Sequence, residues 1–156
     1  MTGLNHGLTG AVIALTVKQP ALALPLAFIS HFATDALPHW DYGTGRKDGK
    51  IGSRKFHILL FTDFGLSILL MVVLALLFPA HKWLIWGCMI LAASPDLAWF
   101  YYRYLKSSVR KTQYDIISRF HIWTEWSETP KGIYVEIAWF VVIGSIILSL
   151  RWKSRP

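Results

Sequence analysis

Leu66-Ser67-Ile68-Leu69-Leu70-Met71-Val72-Val73-Leu74-Ala75-Leu76-Leu77-Phe78 carries no charge and stops at Pro79. With its neutral neighbours the run reaches about 18–20 residues, enough helix to cross roughly 30 Å of hydrocarbon. One such run would fit a buried core helix equally well. Here it recurs: Trp83–Ala93 and Ile137–Leu150 are uncharged too. The chain has 156 residues, of which 54% are apolar and 16% charged, with 8 Trp and 9 Phe. Average soluble domains carry about 25% charged residues, and the mean hydropathy here is +0.41. Several apolar runs in so short a chain leave too little polar sequence to cover them. The expected fold class is all-α: a polytopic membrane protein, a compact bundle of about five helical segments with four or five transmembrane. Residues 1–156 are expected to form a single integral membrane domain.

On either side of that run, Pro and Gly set the other boundaries. The first segment is expected over Gly3–Val17, short for a span, and ends at Lys18-Gln19-Pro20 because Pro disfavours helix continuation. The second is expected over Ala21–Leu37, up to Pro38, and the third over Phe56–Phe78. The fourth, Lys82–Tyr104, contains Pro95, which frees a backbone carbonyl and should distort the helix. The fifth, Ile133–Leu150, ends at Arg151-Trp152-Lys153, an interfacial anchor. The polar stretches at about 38–55 and 105–131 read as loops. Within the second of them, Tyr114–Trp126 reads as an interfacial amphipathic helix. No cleavable signal peptide is expected, since Lys and Arg are missing ahead of the first apolar stretch. The single cysteine, Cys88, excludes a disulfide framework within the chain.

Five spans would place the N- and C-termini on opposite sides. Eleven of the sixteen basic residues then fall on the N-terminal side: Arg46, Lys47, Lys50, Arg54, Lys55, Arg103, Lys106, Arg110, Lys111, Arg119 and Lys131. The positive-inside rule makes that side cytoplasmic, so the expectation is a bacterial inner membrane protein with both long loops and the N-terminus in the cytoplasm. Because the basic residues are divided among loops, no nucleic-acid partner is expected. All nine acids fall in the same half, as do His6, His31, His39, His57 and His121. Loop length alone accounts for the loop acids. It does not account for His31, Asp35, Asp63 and Asp96, which lie in or at the ends of apolar segments, where ionisable groups are costly and tend to mark function.

The densest stretch is His31-Phe32-Ala33-Thr34-Asp35-Ala36-Leu37-Pro38-His39-Trp40-Asp41. His31 and Asp35 are four apart, so a helix presents them on one face, close enough to share a metal ion. The plainer alternative is an intramembrane His–Asp hydrogen bond. Imidazole and carboxylate suit zinc, with manganese or iron as alternatives. Asp96, in Ser94-Pro95-Asp96, lies mid-span beside the proline and would either join a polar pocket or cap a broken helix. Asp63 is as compatible with a structural role as with a ligand, and His6 could close the cluster from the first segment. His121 and Glu125, again four apart, form either a second ligand pair or a solvated face. Several carboxylates cannot share a low-dielectric pocket fully ionised without a cation. One or two divalent ions would resolve this and would acidify a water toward about 7.

These residues resemble a known family. His31-x3-Asp35, Pro38-His39, the early His6 and the later Pro95-Asp96 resemble the YdjM-like inner-membrane metal-dependent hydrolases of bacteria. The His-Phe-x-x-Asp-x-x-Pro-His string is also similar to part of the zinc site of bacterial zinc-dependent phospholipases C and related nucleases. In those enzymes the His, the Asp four residues on and a further His are ligands, which implies that role for His31, Asp35 and His39, with His6 as the early His. The chain also departs from both patterns. The soluble enzymes place the last His farther from the Asp. The YdjM-like pattern has Pro-Asp-x-Asp-His early and His-x3-Asp late, whereas here Pro95-Asp96 comes late without the second Asp and the His.

The functional expectation is a membrane-embedded metal-dependent hydrolase of a phosphoester, lipid-linked, at the cytoplasmic interface. Its metal ligands would be His6, His31, Asp35, His39, Asp63 and Asp96, with Asp35, Asp96 and His39 catalytic. Basic loop residues would hold the phosphate. The expected partners are a membrane lipid or lipid-linked substrate, and a homo-oligomer is allowed. The alternative is a non-enzymatic protein: an ion-coupled carrier using the same acids, or an adaptor whose basic loops bind anionic lipid.

Overall fold

The computed structural model describes residues 1–40, 54–101 and 115–153. They form six α-helices: α1 Gly3–Val17, α2 Pro20–Asp35, α3 Arg54–Leu77, α4 Lys82–Phe100, α5 Ile116–Thr124 and α6 Gly132–Lys153. Two short 3₁₀ turns, Pro79–His81 and Glu125–Ser127, follow α3 and α5. There is no β-strand among the described residues. The interiors of the expected loops, 41–53 and 105–114, with Asp41 and Asp48, lie outside the described residues.

Local chemistry explains most boundaries. α1 ends where Lys18 takes φ 59°, a left-handed conformation, and its N–H donates to Ala14 O at 3.2 Å. Pro20 then opens α2 at a first-turn position that needs no N–H donor. Pro25 and Pro95 both sit inside continuous helices. Pro95 lies inside one helix, as expected, and the carbonyl it frees is repaired locally. Pro95 has no N–H for Leu91 O, and the Ser94 hydroxyl donates to that oxygen instead at 2.9 Å.

α1, α2 and α4 pack against one another at the centre, with α3 and α6 against α1. The core is built from Leu8, Ala11, Ala14 and Leu15 of α1, Ala23 and Ala27 of α2, and Ile85, Cys88, Met89 and Ala92 of α4. Small residues let these backbones approach closely. Gly10 is the tightest point between helices, where an added Cβ would lie 2.5 Å from the Cys88 carbonyl oxygen. Indole N–H groups tie the flanking helices in: Trp86 Nε1 donates to Met71 O at 3.0 Å, and Trp139 Nε1 to Thr9 Oγ1 at 2.9 Å.

α3 and α6 are long and apolar enough to cross a membrane, with mean hydropathies of 2.5 and 2.2 over their best windows. α1, at 15 residues, and α2, at 16, are shorter than a full span needs. Beside the apolar core, polar side chains are buried at one end of the bundle while many large apolar side chains are exposed. Asn5, His6, His31, Thr34, Asp35, His121 and Glu136 are buried, whereas Phe61, Phe64, Leu76, Trp83, Tyr134 and Leu148 are exposed.

Candidate metal centre

Polar groups collect at one end of the bundle because α1 begins there, α2 ends there, and α3 and α6 begin there. Two carboxylates from different helices cap the start of α1. Asp63 of α3 accepts from the N–H groups of Gly3 and Leu4 at 2.8 and 3.1 Å. Glu136 of α6 accepts from the N–H and hydroxyl of Thr2 at 3.0 and 2.8 Å, and from the amide of Asn5. These acceptors satisfy helix N-terminal donors that otherwise have no partner, and their charge suits the positive end of the helix dipole. Asp63, expected from sequence as a ligand, is thus occupied with holding α1 in place.

The segment after α5 fixes the other side. Ser127 Oγ donates to Asp35 O at 3.1 Å and to Leu37 O at 2.6 Å, and Thr129 N–H donates to His39 O at 2.9 Å. An added Cβ at Gly132 would lie 2.0 Å from the His39 carbonyl carbon, so only glycine allows this contact. The clamp ends α2 at Asp35, and the helix does not carry on to His39. The His39 ring is buried, its Nδ1 hydrogen-bonds to Leu37 O at 2.9 Å, and burial, with the N-terminal amine second, lowers its pKa. His39 is not among the side chains that converge.

Those that do converge are His31 and Asp35 of α2, Asp96 of α4 and His121 of α5. One donor atom from each lies within 4.8 Å of all the others. His31 Nε2 is 3.0 Å from His121 Nε2, 3.0 Å from Asp35 Oδ2 and 3.8 Å from Asp96 Oδ1. His121 Nε2 is 3.1 Å from Asp35 Oδ2 and 3.5 Å from Asp96 Oδ1. These separations straddle about 3.3–3.4 Å, the edge of a tetrahedron with metal–ligand bonds of about 2.0–2.1 Å. His6 approaches from the other side. Its ring stacks on His31 at a centroid distance of 4.0 Å, and its Nε2 lies 3.1 Å from Asp35 Oδ1. The Met1 amino group also contacts that oxygen.

Hydrogen-bond chemistry decides what such a cluster can hold. His31 Nδ1 faces the Ala92 carbonyl oxygen at 2.7 Å, and a carbonyl only accepts, so Nδ1 carries the hydrogen. In the neutral ring, Nε2 then presents a lone pair to the cluster. His6 follows the same logic. The Thr34 hydroxyl donates to a carbonyl of its own helix, His31 O at 2.9 Å or Ser30 O at 3.0 Å. Its oxygen then accepts from His6 Nδ1 at 3.1 Å, which leaves His6 Nε2 bare. Although buried and close to Asp35, that nitrogen makes no aligned hydrogen bond. The bare Nε2 atoms of His31 and His6 thus face the Asp35 carboxylate. A hydrogen on His121 Nε2, 3.0 Å from His31 Nε2 and 3.1 Å from Asp35 Oδ2, satisfies that side. His6 Nε2 is left as a buried acceptor that a cation would stabilise. Fixing the outer ring nitrogen with a carbonyl or hydroxyl is also how metal-binding histidines are oriented. The group could hold a metal ion. His31, Asp35 and His121 are fully enclosed, and the Asp96 side chain is 43% exposed, so access is from the Asp96 side.

No protein-family model, curated protein or solved structure matches the chain.

Of the expected ligands, the structure brings together His6, His31, Asp35 and Asp96, and it gives Asp63 and His39 other partners. His121 was expected only as half of a separate pair with Glu125, whose side chain lies outside the described residues. The sequence held one partial signal, a polar stripe of Ser118, His121 and Thr124 at three-residue spacing on an otherwise apolar helix, which marks an inner face without naming its partners.

Proposed function

We propose that this protein is an integral membrane hydrolase that uses a divalent metal, zinc in our reading, to cleave a lipid-linked phosphoester at the cytoplasmic interface of the bacterial inner membrane. The observation that carries the reading is the convergence of His31, His121 and Asp35 on a half-open Asp96. Membrane embedding is supported by the length and apolarity of α3 and α6 and by the many large apolar side chains left exposed. In this reading α1, α2 and α4 complete a bundle of four or five spans. Exposed apolar patches above a few hundred Å² are rare on soluble monomers and mark interaction surfaces. The hydrolase class follows the resemblance of His6, His31-x3-Asp35 and Pro38-His39 to YdjM-like proteins.

Each side chain has a distinct task in this scheme. His31, His121 and Asp35 would hold the ion, with the His6 ring stacked on His31 and its free Nε2 turned toward the same carboxylate. Such an ion supplies Lewis acidity and brings the pKa of water toward about 7. Asp96, the ligand candidate with solvent access, would take the proton from the attacking water as the new P–O bond forms and return it to the leaving oxygen as the scissile P–O bond breaks. The depth of the site suits a head group at the membrane surface.

The test is turnover. Protein reconstituted with zinc in vesicles of phosphatidylethanolamine and phosphatidylglycerol should release a phosphoester cleavage product visible by ³¹P NMR. Chelator should stop the reaction, and Asp96→Asn should abolish it while metal stays bound. Metal-loaded protein that turns over none of the phospholipids or prenyl-phosphate lipids offered sinks the proposal. Metal-driven cation uptake without turnover would instead support a carrier.

A further inference from the structure

A groove of about 540 Å³ runs between α2 and α5, on the flank away from the bundle core. Its walls are Ile29, Phe32, Ala33, Ala36, Phe120 and Trp123, with Thr124 at one edge. The lining is almost wholly apolar. The Thr124 hydroxyl donates to the His121 carbonyl oxygen at 2.8 Å, so it is already used. Phe32 packs edge-on against Phe120 at 5.0 Å and forms the floor. The same ring touches His31 at 5.3 Å and His121 at 6.2 Å. One aromatic ring therefore separates the groove from the metal centre.

The groove is also continuous with an apolar track. Leu22, Leu26, Ile29, Ala33 and Ala36 follow one another at spacings of four, three, four and three, a single stripe along α2. The opposite face of the same helix carries the buried Ala23, Ala27, His31 and Asp35. Leu22, Leu26 and Ile29 are all exposed. At 1.5 Å per residue the stripe is about 21 Å long, more than the roughly 15 Å hydrocarbon depth of one leaflet. Ala33 and Ala36 make its upper end a channel, because larger residues there would fill it. Trp123 and Ile116 continue the apolar surface on α5 and are 69% and 81% exposed.

We propose that this groove seats the acyl chain of a membrane phospholipid, so that the chain lies along the α2 stripe and its phosphate head group is presented to the centre. The proposal deepens the hydrolase reading and rests on it for the head group, but the chain-binding claim stands on the groove alone. An apolar channel that is open laterally, lacks a free polar group and is continuous with lipid-facing surface fits a hydrocarbon chain rather than a polar ligand. It also explains why α5 presents its polar face inward: one helix supplies His121 to the metal and Phe120 and Trp123 to the chain.

The test uses the full chain in vesicles of phosphatidylethanolamine and phosphatidylglycerol. These are doped with a phosphatidylglycerol that carries a diazirine within one acyl chain, and the cross-linked peptides are mapped by mass spectrometry. The wild type should be labelled preferentially at residues 29–36 and 116–124, above α3 and α6. Filling the channel with Ala33→Leu and Ala36→Leu should cut that labelling about tenfold with metal content unchanged. Equal labelling of every apolar face in the wild type overturns the proposal whether or not the variant folds. So does labelling that persists in the filled channel. An intramolecular cross-link showing residues 102–114 seated in the groove also overturns it. If labelling is as expected but no lipid is hydrolysed, the hydrolase reading falls and the chain site stands.

Discussion

The orientation of His6 depends on one hydroxyl, and removing it should weaken metal binding by a calculable amount. Thr34→Val keeps the side-chain volume but deletes the oxygen that accepts from His6 Nδ1 at 3.1 Å. Thr34 is buried, so no water replaces that acceptor. A buried donor left without a partner costs about 1–3 kcal/mol. The ring can escape this only by turning away or by moving its hydrogen to Nε2, and either change removes the lone pair that faces the cluster. If the whole penalty falls on the metal-bound state, affinity drops about 5- to 150-fold, since each 1.4 kcal/mol is tenfold. The assay is competition for zinc against a chromophoric chelator in detergent micelles, with helix content followed by circular dichroism. Thr34→Ser keeps the hydroxyl and should bind as wild type. Unchanged affinity in Thr34→Val, or an equal loss in Thr34→Ser, would refute the tautomer argument.

Other consequences test the frame around the centre. Gly10→Ala places a Cβ 2.5 Å from the Cys88 carbonyl oxygen and should destabilise the α1–α4 contact by about 1–3 kcal/mol. Gly144→Ala, where an added Cβ meets nothing within 4 Å, should leave thermal unfolding in detergent unchanged. Asp63→Ala removes a helix cap and should lower stability by about 0.5–2 kcal/mol, yet retain metal stoichiometry; lost metal with stability intact would make Asp63 a ligand after all. Lys18→Gly relieves a left-handed φ of 59° and should raise stability by about 1 kcal/mol in the same unfolding assay.

How much of this could be read from the sequence differed by element. Apolar run length and proline placement located α1, α3 and α6 closely, because helix start and stop signals are local. The passage of α4 through Pro95 was legible too, and what the sequence did not show was that Ser94 donates to the carbonyl the proline abandons. His31 and Asp35 were legible as a pair because the i, i+4 spacing is itself a geometric statement. His121 was not, since 86 residues separate it from Asp35 and no periodicity joins them. Its place depends on the clamp in which Ser127 and Thr129 bond to the end of α2 and Gly132 abuts it. That clamp also takes His39 out of the cluster by ending the helix early. Asp63 could not be separated from a ligand by sequence, because a carboxylate that caps another helix looks identical to one that binds a metal until the partner helix is placed.

Metal content per chain decides whether His31, Asp35, Asp96 and His121 form a metal centre. Protein purified from zinc-supplemented cells, washed free of loose ions and measured by elemental analysis, should carry at least one zinc or related divalent ion per chain. His31→Ala and His121→Ala should each lose it while keeping wild-type helix content, and His39→Ala should retain it. Wild-type protein without stoichiometric metal, or a His121→Ala variant that keeps its ion, would show that these side chains do not bind metal.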